Sequence, residues 1–549
     1  MRQDVSGWAI RWDEDRARQL KAEGAWADKT IADYAREMMT STPDRVLVIE
    51  RENEYTVTDL YRKGERLARA LVKRGYRPGD TISFQLPNWY ETVVISLAAA
   101  MAGLIVNPLV PIYRDMEVSF MLRDCRSKLI FIPSTFRKFD YVEMMQRIMP
   151  GLDREVDVVV LRGDAGSFID YEAMIGEGDA DDTVLPGADP DALKMIMYTS
   201  GTTGRAKGVL HSHNSIQAEN RARLTHLGLK PGEVMFNPSP VTHVTGALYS
   251  LMMPFTCGIT TVLLDVWEPE LGLDMMRRRK VNGIVAATIF LQGLVDQAKL
   301  EGESLPDLRF FLCGGAQVPP DLVREASRVF PNCIASRIYG STEVPCITAG
   351  VNSTENMELG ASTDGQVWLG EAKIVDVATG KNMPKGSEGE IVARAPQMFL
   401  GYAHSEDNND AFDDEGYFKM GDLGRFVGED FIVVTGRKKD LIIRAGENIS
   451  PKEIEDILFN HPAIADIAIV AMPNARTGEA ACAFVIAREG KAIDLPEIKR
   501  YLMDVGTAMQ KIPERLEVVD ELPRTSVGKV RKDVLRQKAR ELVMAETGA

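Results

Sequence analysis

The sequence predicts an α/β protein: a large N-terminal domain holding more than one α/β sheet, followed by a small α+β domain. Three observations predict it. From residue 46 onward, apolar strand-like runs alternate with helix-like runs, the pattern of βαβ units in a mostly parallel sheet. Several of those strands end directly in turns rich in Gly, Ser and Thr, the places where open α/β sheets collect ligands. At Gly436-Arg437-Lys438-Lys439-Asp440 the texture changes to a charged joint, and a compact tail with its own pattern follows. A chain of 549 residues is too long for one core, and the joint divides it into 1–437 and 438–549.

In chain order, Val46-Leu47-Val48-Ile49, the polar turn Arg51-Glu52-Asn53 and Tyr55-Thr56-Val57 form a small hairpin. A helix with apolar Leu60, Leu67, Ala68, Leu71 and Val72 follows, ending at Gly75. Pro78-Gly79-Asp80 turns the chain into a strand over 81–86. Helix and strand patterns then alternate: 90–102 and 104–107, 115–124 and 128–132, 138–149 and 157–161. Residues 162–190, rich in Asp and Gly, read as a surface connection before a strand at 193–197. Strands at 234–237, 259–264, 283–286 and 308–313 and the short segment 337–339 continue the alternation. Beyond the joint, Ser450-Pro451-Lys452-Glu453 predicts a capping box opening a helix to about Asn460. Strands at 464–471 and 481–487, a helix at 495–504 and a strand at 515–519 complete the α+β tail.

Bulk properties narrow the function. A formal net charge of −15 excludes a general nucleic-acid or anionic-membrane binder while leaving room for a local basic pocket. The cysteines at 125, 257, 313, 333, 346 and 482 form no C-x-x-C pair, and no His stands at metal-ligand spacing. That fits a reducing cytoplasm and argues against a structural zinc site. The first forty residues carry charges throughout, without the apolar stretch of a signal peptide. Two uncharged runs, 92–113 and 244–264, are long enough to span a membrane. Gly103, Asn107, Pro108 and Pro111 interrupt the first, and Pro254 and Gly258 the second, so both predict buried helix–strand units.

The stretch Tyr198-Thr199-Ser200-Gly201-Thr202-Thr203-Gly204-Arg205-Ala206-Lys207-Gly208 carries the first chemical signal. Glycines let backbone N–H groups turn toward an anion, and hydroxyls and an ammonium add donors, which suits a polyphosphate. It is not the Walker pattern, because two residues separate Gly201 from Gly204 and Gly208 follows Lys207. Two further turns, Gly314-Gly315-Ala316 and Gly340-Ser341-Thr342-Glu343, also follow apolar strands and are candidates for the same cleft.

Together with Tyr339, Gly416-Tyr417-Phe418-Lys419-Met420-Gly421-Asp422, the 436–442 joint, Gly446-Glu447-Asn448-Ile449-Ser450-Pro451 and Gly528-Lys529-Val530-Arg531, these stretches resemble the adenylate-forming superfamily in order and spacing. That superfamily holds acyl- and aryl-CoA ligases, adenylation domains and luciferases. The chain is most similar to its medium-chain and cyclohexanecarboxylate-CoA ligases, over residues 45–535. The resemblance implies an ATP-dependent acid–CoA ligase using Mg²⁺ and coenzyme A. A carboxylate attacks the α-phosphate of ATP, giving an acyl-adenylate and pyrophosphate, and a thiol then displaces AMP. Bringing two anions together asks for charge neutralisation and alignment more than for a protein nucleophile.

Residue by residue, the resemblance implies that Thr199, Ser200, Gly201, Thr202, Thr203, Gly204 and Lys207 hold the β- and γ-phosphates, with Thr202 near the metal. Gly315, Ala316, Tyr339, Gly340, Ser341 and Thr342 frame the adenine, Glu343 binds Mg²⁺, and Asp422 accepts from the ribose hydroxyls with Arg437 nearby. Lys529 bridges the α-phosphate and the substrate carboxylate. Lys439 is the hinge of a mobile C-terminal domain, and Gly446 leaves room for a pantetheine arm, with Ala445 where many relatives carry a second Gly.

The resemblance also implies that His243 gates the acyl pocket near the carboxylate and that Val244, Gly246, Ala247 and Gly314 line it. Leu248, Met252, Ala287, Ile289, Phe290 and Leu291 are further lining candidates, all apolar. No Asp or Glu lies between Asn237 and Leu264 to pair with an α-ammonium, which disfavours amino acids. A medium-chain aliphatic or alicyclic acid is therefore expected. The alternatives are an aryl acid, or an acyl-adenylate synthase that loads a carrier protein. A luciferase-like oxygenase and a nucleotide-sensing non-enzyme stand further off, the latter because Lys207, Glu343, Asp422, Arg437 and Lys529 are all kept. Expected partners are the acid, ATP and CoA, with no nucleic acid and no membrane span. A lysine acetyltransferase and deacetylase acting on Lys529, and a homodimer, are also compatible.

Overall fold

The computed structural model describes residues 1–549 except 180–182, 200–204, 317, 446, 526–527 and 548–549. Two compact units form, one of Met1–Ala361, Val367–Glu371 and Arg394–Gly416, the other of Ser362–Gln366, Ala372–Ala393 and Tyr417–Ala549.

Among its described residues the first unit holds two seven-stranded sheets. One runs, in spatial order, Ile169–Asp170, Asp157–Leu161, Ser127–Pro133, Thr81–Phe84, Ile105–Pro108, Leu193–Thr199 and Lys207–Ser212. Its neighbours are parallel except for the last pair. The other runs Ile334–Arg337, Phe310–Cys313, Gly283–Ala286, Val234–Asn237, Thr260–Leu263, Val46–Glu50 and Asn53–Thr56. It too is parallel except at its final hairpin.

The helix Tyr90–Ala102 shows why a sequence run can look like a membrane span and not be one. All of its residues are buried, as expected for a helix that is apolar on every side. It lies in a core drawing on both sheets, with Leu47, Val48, Phe84, Val106 and Met235 among its members. Its one acidic residue, Glu91, is matched by Arg162, whose guanidinium bridges Glu91 at 2.6 Å and Glu50 at 2.7 Å. No helix among the described residues is long and apolar enough to cross a membrane.

In the second unit, the strand neighbours Gln366–Val367, Phe431–Arg437, Phe418–Val427, Gly389–Arg394 and Glu371–Val375 come first. The antiparallel hairpin Ile464–Asn474 and Gly478–Ala487 then carries Arg515–Val518 parallel on its second strand. The helices Pro451–Leu458, Leu495–Asp504 and Lys532–Thr547 complete the α+β arrangement.

Three local expectations are corrected. Val57 starts a helix, not a strand end, because Thr56 and Asp59 form a capping box that begins Val57–Lys73 there. Tyr339 lies beyond its strand, which ends at Arg337. Ser450 caps its helix without a side-chain bond to the first turn; its hydroxyl donates instead to the Thr435 carbonyl at 2.6 Å.

Three buried charged groups, a lone lysine and an ion pair, are informative about stability. Lys194 is fully buried at an irregularity in its strand and donates to Ser96 O at 2.8 Å and Ser96 Oγ at 3.1 Å. Burial pushes its pKa down to about 7. Arg223 and Glu219 are wholly buried one helical turn apart and pair at 2.8 Å, and Tyr249 OH donates to the same Glu219 oxygen at 2.7 Å.

An unfolded lysine titrates near pH ~10.4. Between pH ~7 and ~10 unfolding therefore takes up a proton at Lys194, and stability rises with pH. Lys194→Met should stabilise the protein by roughly 2–4 kcal/mol at pH ~7, with the gain shrinking toward pH ~10, as thermal unfolding across that range will show. Arg223→Met should cost about 3–5 kcal/mol by stranding the Glu219 charge, and adding Glu219→Gln should recover most of it.

Candidate active site

In the second sheet the carboxyl ends of parallel strands share one edge, so the segments after Val234–Asn237, Gly283–Ala286, Phe310–Cys313 and Ile334–Arg337 emerge together. Those segments carry His243 to Ala247, Ala287 to Leu291, Gly314 to Ala316 and Tyr339 to Glu343. The turns expected to frame the adenine are tied to each other and to the neighbouring strand: Ile338 N donates to Cys313 O at 2.9 Å, and Gly314 N to Ala286 O at 3.2 Å.

The turn at Tyr339 is held tightly. Tyr339 N donates to Thr348 Oγ1 at 2.7 Å, and Val344 N donates to Ser341 Oγ at 3.1 Å. A Cβ at position 340 would lie 2.2 Å from Cys346 N, so only glycine fits there. His211 fixes the next residue, with Nε2 2.8 Å from Thr342 O. Burial pushes the His211 pKa down to about 4, so the ring is neutral at pH ~7 and carries its proton on Nε2.

Thr199 and Lys207 face each other in register across an antiparallel pair, flanking the expected phosphate loop. Ser200, Gly201, Thr202, Thr203 and Gly204, including the expected metal-side hydroxyl, lie outside the described residues. The other edge of Lys207–Ser212 is taken by residues 400–403: Leu400 N bonds Leu210 O at 2.7 Å, Leu210 N bonds Gly401 O at 3.1 Å and Ala403 N bonds Gly208 O at 2.8 Å. This addition delivers two residues that no sequence motif marked. Tyr402 OH donates to Glu343 Oε1 at 2.8 Å, and Asp407 lies 3.2 Å from Lys207 Nζ and 2.8 Å from Arg205. Lys207 Nζ stands 4.8 Å from the Tyr402 ring centroid. The usable signal was Phe399-Leu400-Gly401-Tyr402, an apolar run with a Gly-aromatic ending like those of the recognised turns.

His243 begins a short helical turn, with Nδ1 3.4 Å from Thr245 N. Gly246 is obligatory, since a Cβ there would lie 1.9 Å from Pro240 O. A π-helical turn, Ala247–Met252, follows; such turns interrupt α-helices chiefly at functional sites. Val244, Ala247, Leu248 and Met252 are buried, whereas Ile289 is 52% exposed and Leu291 packs in the core with Leu294 and Val295. The stretch is not isolated from acids as its own sequence suggests, because Glu219 reaches Tyr249, but Arg223 balances that charge.

The second unit carries the remaining candidates. Asp422 and Arg437 are register partners on adjacent strands, with Arg437 Nε 3.1 Å from Asp422 Oδ1. Lys439 is exposed, and desolvation together with the Arg437 charge lowers its pKa. Its neighbour Asp440 pairs with Arg536 at 2.7 Å. Ala445 adopts φ +51°, a conformation that favours glycine, while Gly446 lies outside the described residues. Lys529 sits in a tight turn, its N–H donating to Thr525 Oγ1 at 3.1 Å and its carbonyl accepting from Thr525 N at 2.7 Å.

No group of three or more His, Cys, Asp or Glu among the described residues could cage a metal. One carboxylate, Glu343, beside a polyphosphate suits Mg²⁺, which is commonly held by one or two carboxylates plus substrate phosphates.

Residues 35–403 match the AMP-binding enzyme family, and residues 453–529 match the AMP-binding enzyme C-terminal domain. The chain is 36% identical to a medium-chain fatty-acid–CoA ligase of Escherichia coli, across 96% of this chain and 94% of that one. It is 30% identical to an indoleacetate–CoA ligase of Aromatoleum aromaticum, across 92% and 97%. Its fold matches the crystal structure of ATP-bound MatB from Rhodopseudomonas palustris with a TM-score of 0.84 at 26% identity, covering 94% of this chain and 100% of that one. The chain belongs to the AMP-binding enzyme family and is an AMP-forming acyl-CoA synthetase that uses ATP, Mg²⁺ and coenzyme A.

Proposed function

We propose that the enzyme converts a medium-chain aliphatic or alicyclic carboxylic acid to its CoA thioester in the cytoplasm. The observation that carries this reading is the shared edge of the second sheet, where the His243 turn and buried Val244, Ala247 and Leu248 emerge beside the Gly314 and Tyr339 turns. An apolar lining with balanced buried charge favours an uncharged hydrocarbon tail. The E. coli relative, by its name a medium-chain fatty-acid–CoA ligase, supports the aliphatic reading. The indoleacetate–CoA ligase keeps an aryl acid as the alternative.

On this reading Lys207 and the loop before it bind the leaving pyrophosphate, while Gly315, Ala316 and Tyr339 frame the adenine. Asp422, oriented by Arg437, accepts from the ribose hydroxyls. Mg²⁺ at Glu343 supplies charge neutralisation for the phosphates. His243 closes the carboxylate end of the acyl pocket. Lys529 holds the substrate carboxylate against the α-phosphate, so the attack begins from an aligned, charge-compensated pair. Lys439 serves as the hinge that lets the thiol step follow, with Gly446 on the pantetheine path. Lysine acetylation at Lys529 would remove the cation the first step needs, and peptide mass spectrometry of native protein tests it. A homodimer is tested by sedimentation.

A panel of aliphatic, alicyclic and aryl acids assayed for AMP release should show highest kcat/KM for a medium-chain or cyclohexane-type acid, and thioester only when CoA is present. Thioester on a carrier protein but not on CoA would overturn the ligase reading. Lys529→Ala should lower adenylation at least about 100-fold, the scale of one transition-state charge contact. It should leave CoA thioesterification of supplied acyl-adenylate within a few fold.

A further inference from the structure

We propose that Tyr402 is a positioning residue that joins the metal-side carboxylate to the phosphate-side lysine. This rests on the reading of Glu343 and Lys207 given above. The phenol donates to Glu343 Oε1 at 2.8 Å, and the same ring presents its face to Lys207 Nζ at 4.8 Å from the centroid. One rigid side chain therefore touches both charged groups, which are separated by more than a hundred residues in sequence.

The ring itself has little freedom. Tyr402 is 6% exposed and packs edge-on against Phe399, with centroids 4.9 Å apart. Its backbone is fixed from both sides: Tyr402 N donates to Asn408 Oδ1 at 2.8 Å, and residue 402 bridges Val209 of the Lys207–Ser212 strand. Glu343 is fixed at its backbone by the same segment, since Phe399 N donates to Glu343 O at 2.8 Å. The hydrogen bond to Oε1 therefore sets the rotation of the carboxylate and the direction in which Oε2 points. A carboxylate held at one oxygen presents the other to a cation without first losing rotamer entropy. The ring face acts separately, drawing the Lys207 ammonium toward the phosphate side by cation–π attraction.

The two contacts are separable by substitution. Tyr402→Phe keeps the ring and removes the hydroxyl; Tyr402→Leu removes both. ATP affinity of the full-length protein is measured calorimetrically with excess Mg²⁺ and with EDTA, and AMP formation is titrated against free Mg²⁺. Tyr402→Phe should raise the Mg²⁺ concentration for half-maximal AMP formation about tenfold, the scale of one hydrogen bond to a charged group. It should weaken MgATP binding while leaving metal-free ATP binding and the KM for the acid unchanged. Tyr402→Leu should weaken metal-free ATP binding as well, by a few fold. A Tyr402→Phe protein with the parent's Mg²⁺ dependence overturns the proposal. Equal losses with and without Mg²⁺, together with a lowered Tm, also overturn it, because they indicate a packing role. The ATP-binding arms need no acid, so a parent protein that releases AMP with no acid in the panel would count against the proposed function alone.

Discussion

The strand Lys207–Ser212 is hydrogen-bonded along both edges, and the candidate site of the first unit depends on it. One edge pairs with Leu193–Thr199 and sets Thr199 opposite Lys207; the other pairs with residues 400–403 and brings in Tyr402. Its His211 then reaches sideways to the carbonyl of Thr342, beside Glu343. A single strand with both edges used has no register freedom, because a one-residue slip would reverse every side chain it carries. Lys207, Glu343, Tyr402 and Asp407 owe their proximity to that constraint and not to closeness in sequence.

The same constraint shapes the electrostatics. The chain is strongly acidic overall, at −15, yet its proposed reaction brings a carboxylate to a triphosphate. Local cations must overcome the general field, and in the first unit Lys207 and Arg205 have Asp407 at hand, as in the second Arg437 has Asp422. Partnered cations keep each group of charges from being an uncompensated patch. The Glu219–Arg223 pair applies the same balance near the acyl segment, where an unmatched acid would invite an ammonium and an unmatched base a second carboxylate.

How much was legible in the sequence depended on whether the signal was local. The helix Tyr90–Ala102 and the strand Gly283–Ala286 are read from apolar runs, and the parallel sheets follow from their alternation. The Gly-rich turns are read from chemistry, because glycine stands where no side chain fits, as at Gly246 and Gly340. Val57 reads as the end of the strand although Thr56, itself the last strand residue, and Asp59 form a capping box that starts the helix there; the strand pattern of Tyr55 and Val57 hides it. Ser450 is the N-cap but does not make the capping-box bond its sequence predicts, because its hydroxyl donates to a tertiary acceptor, Thr435 O. Tyr402, Asp407 and Glu219 were invisible for a different reason. Their roles arise from strand pairing and helix packing across long separations, and nothing in their immediate neighbours records the partner.

Partnered cations also bear on nucleotide selection. On the proposed reading a phosphate reaching Lys207 would compete with Asp407, so a single phosphate would exchange one ion pair for another and gain little. A triphosphate carrying Mg²⁺ would gain more on that reading, which gives Lys207 to the phosphates, Glu343 to the metal and Tyr339 to the adenine. Selectivity for the whole nucleotide over its fragments then follows from a cost every anion bears and only a multidentate one recovers. The ring of Tyr402, against Lys207 on one side and hydrogen-bonded to Glu343 on the other, is where those two gains become coupled.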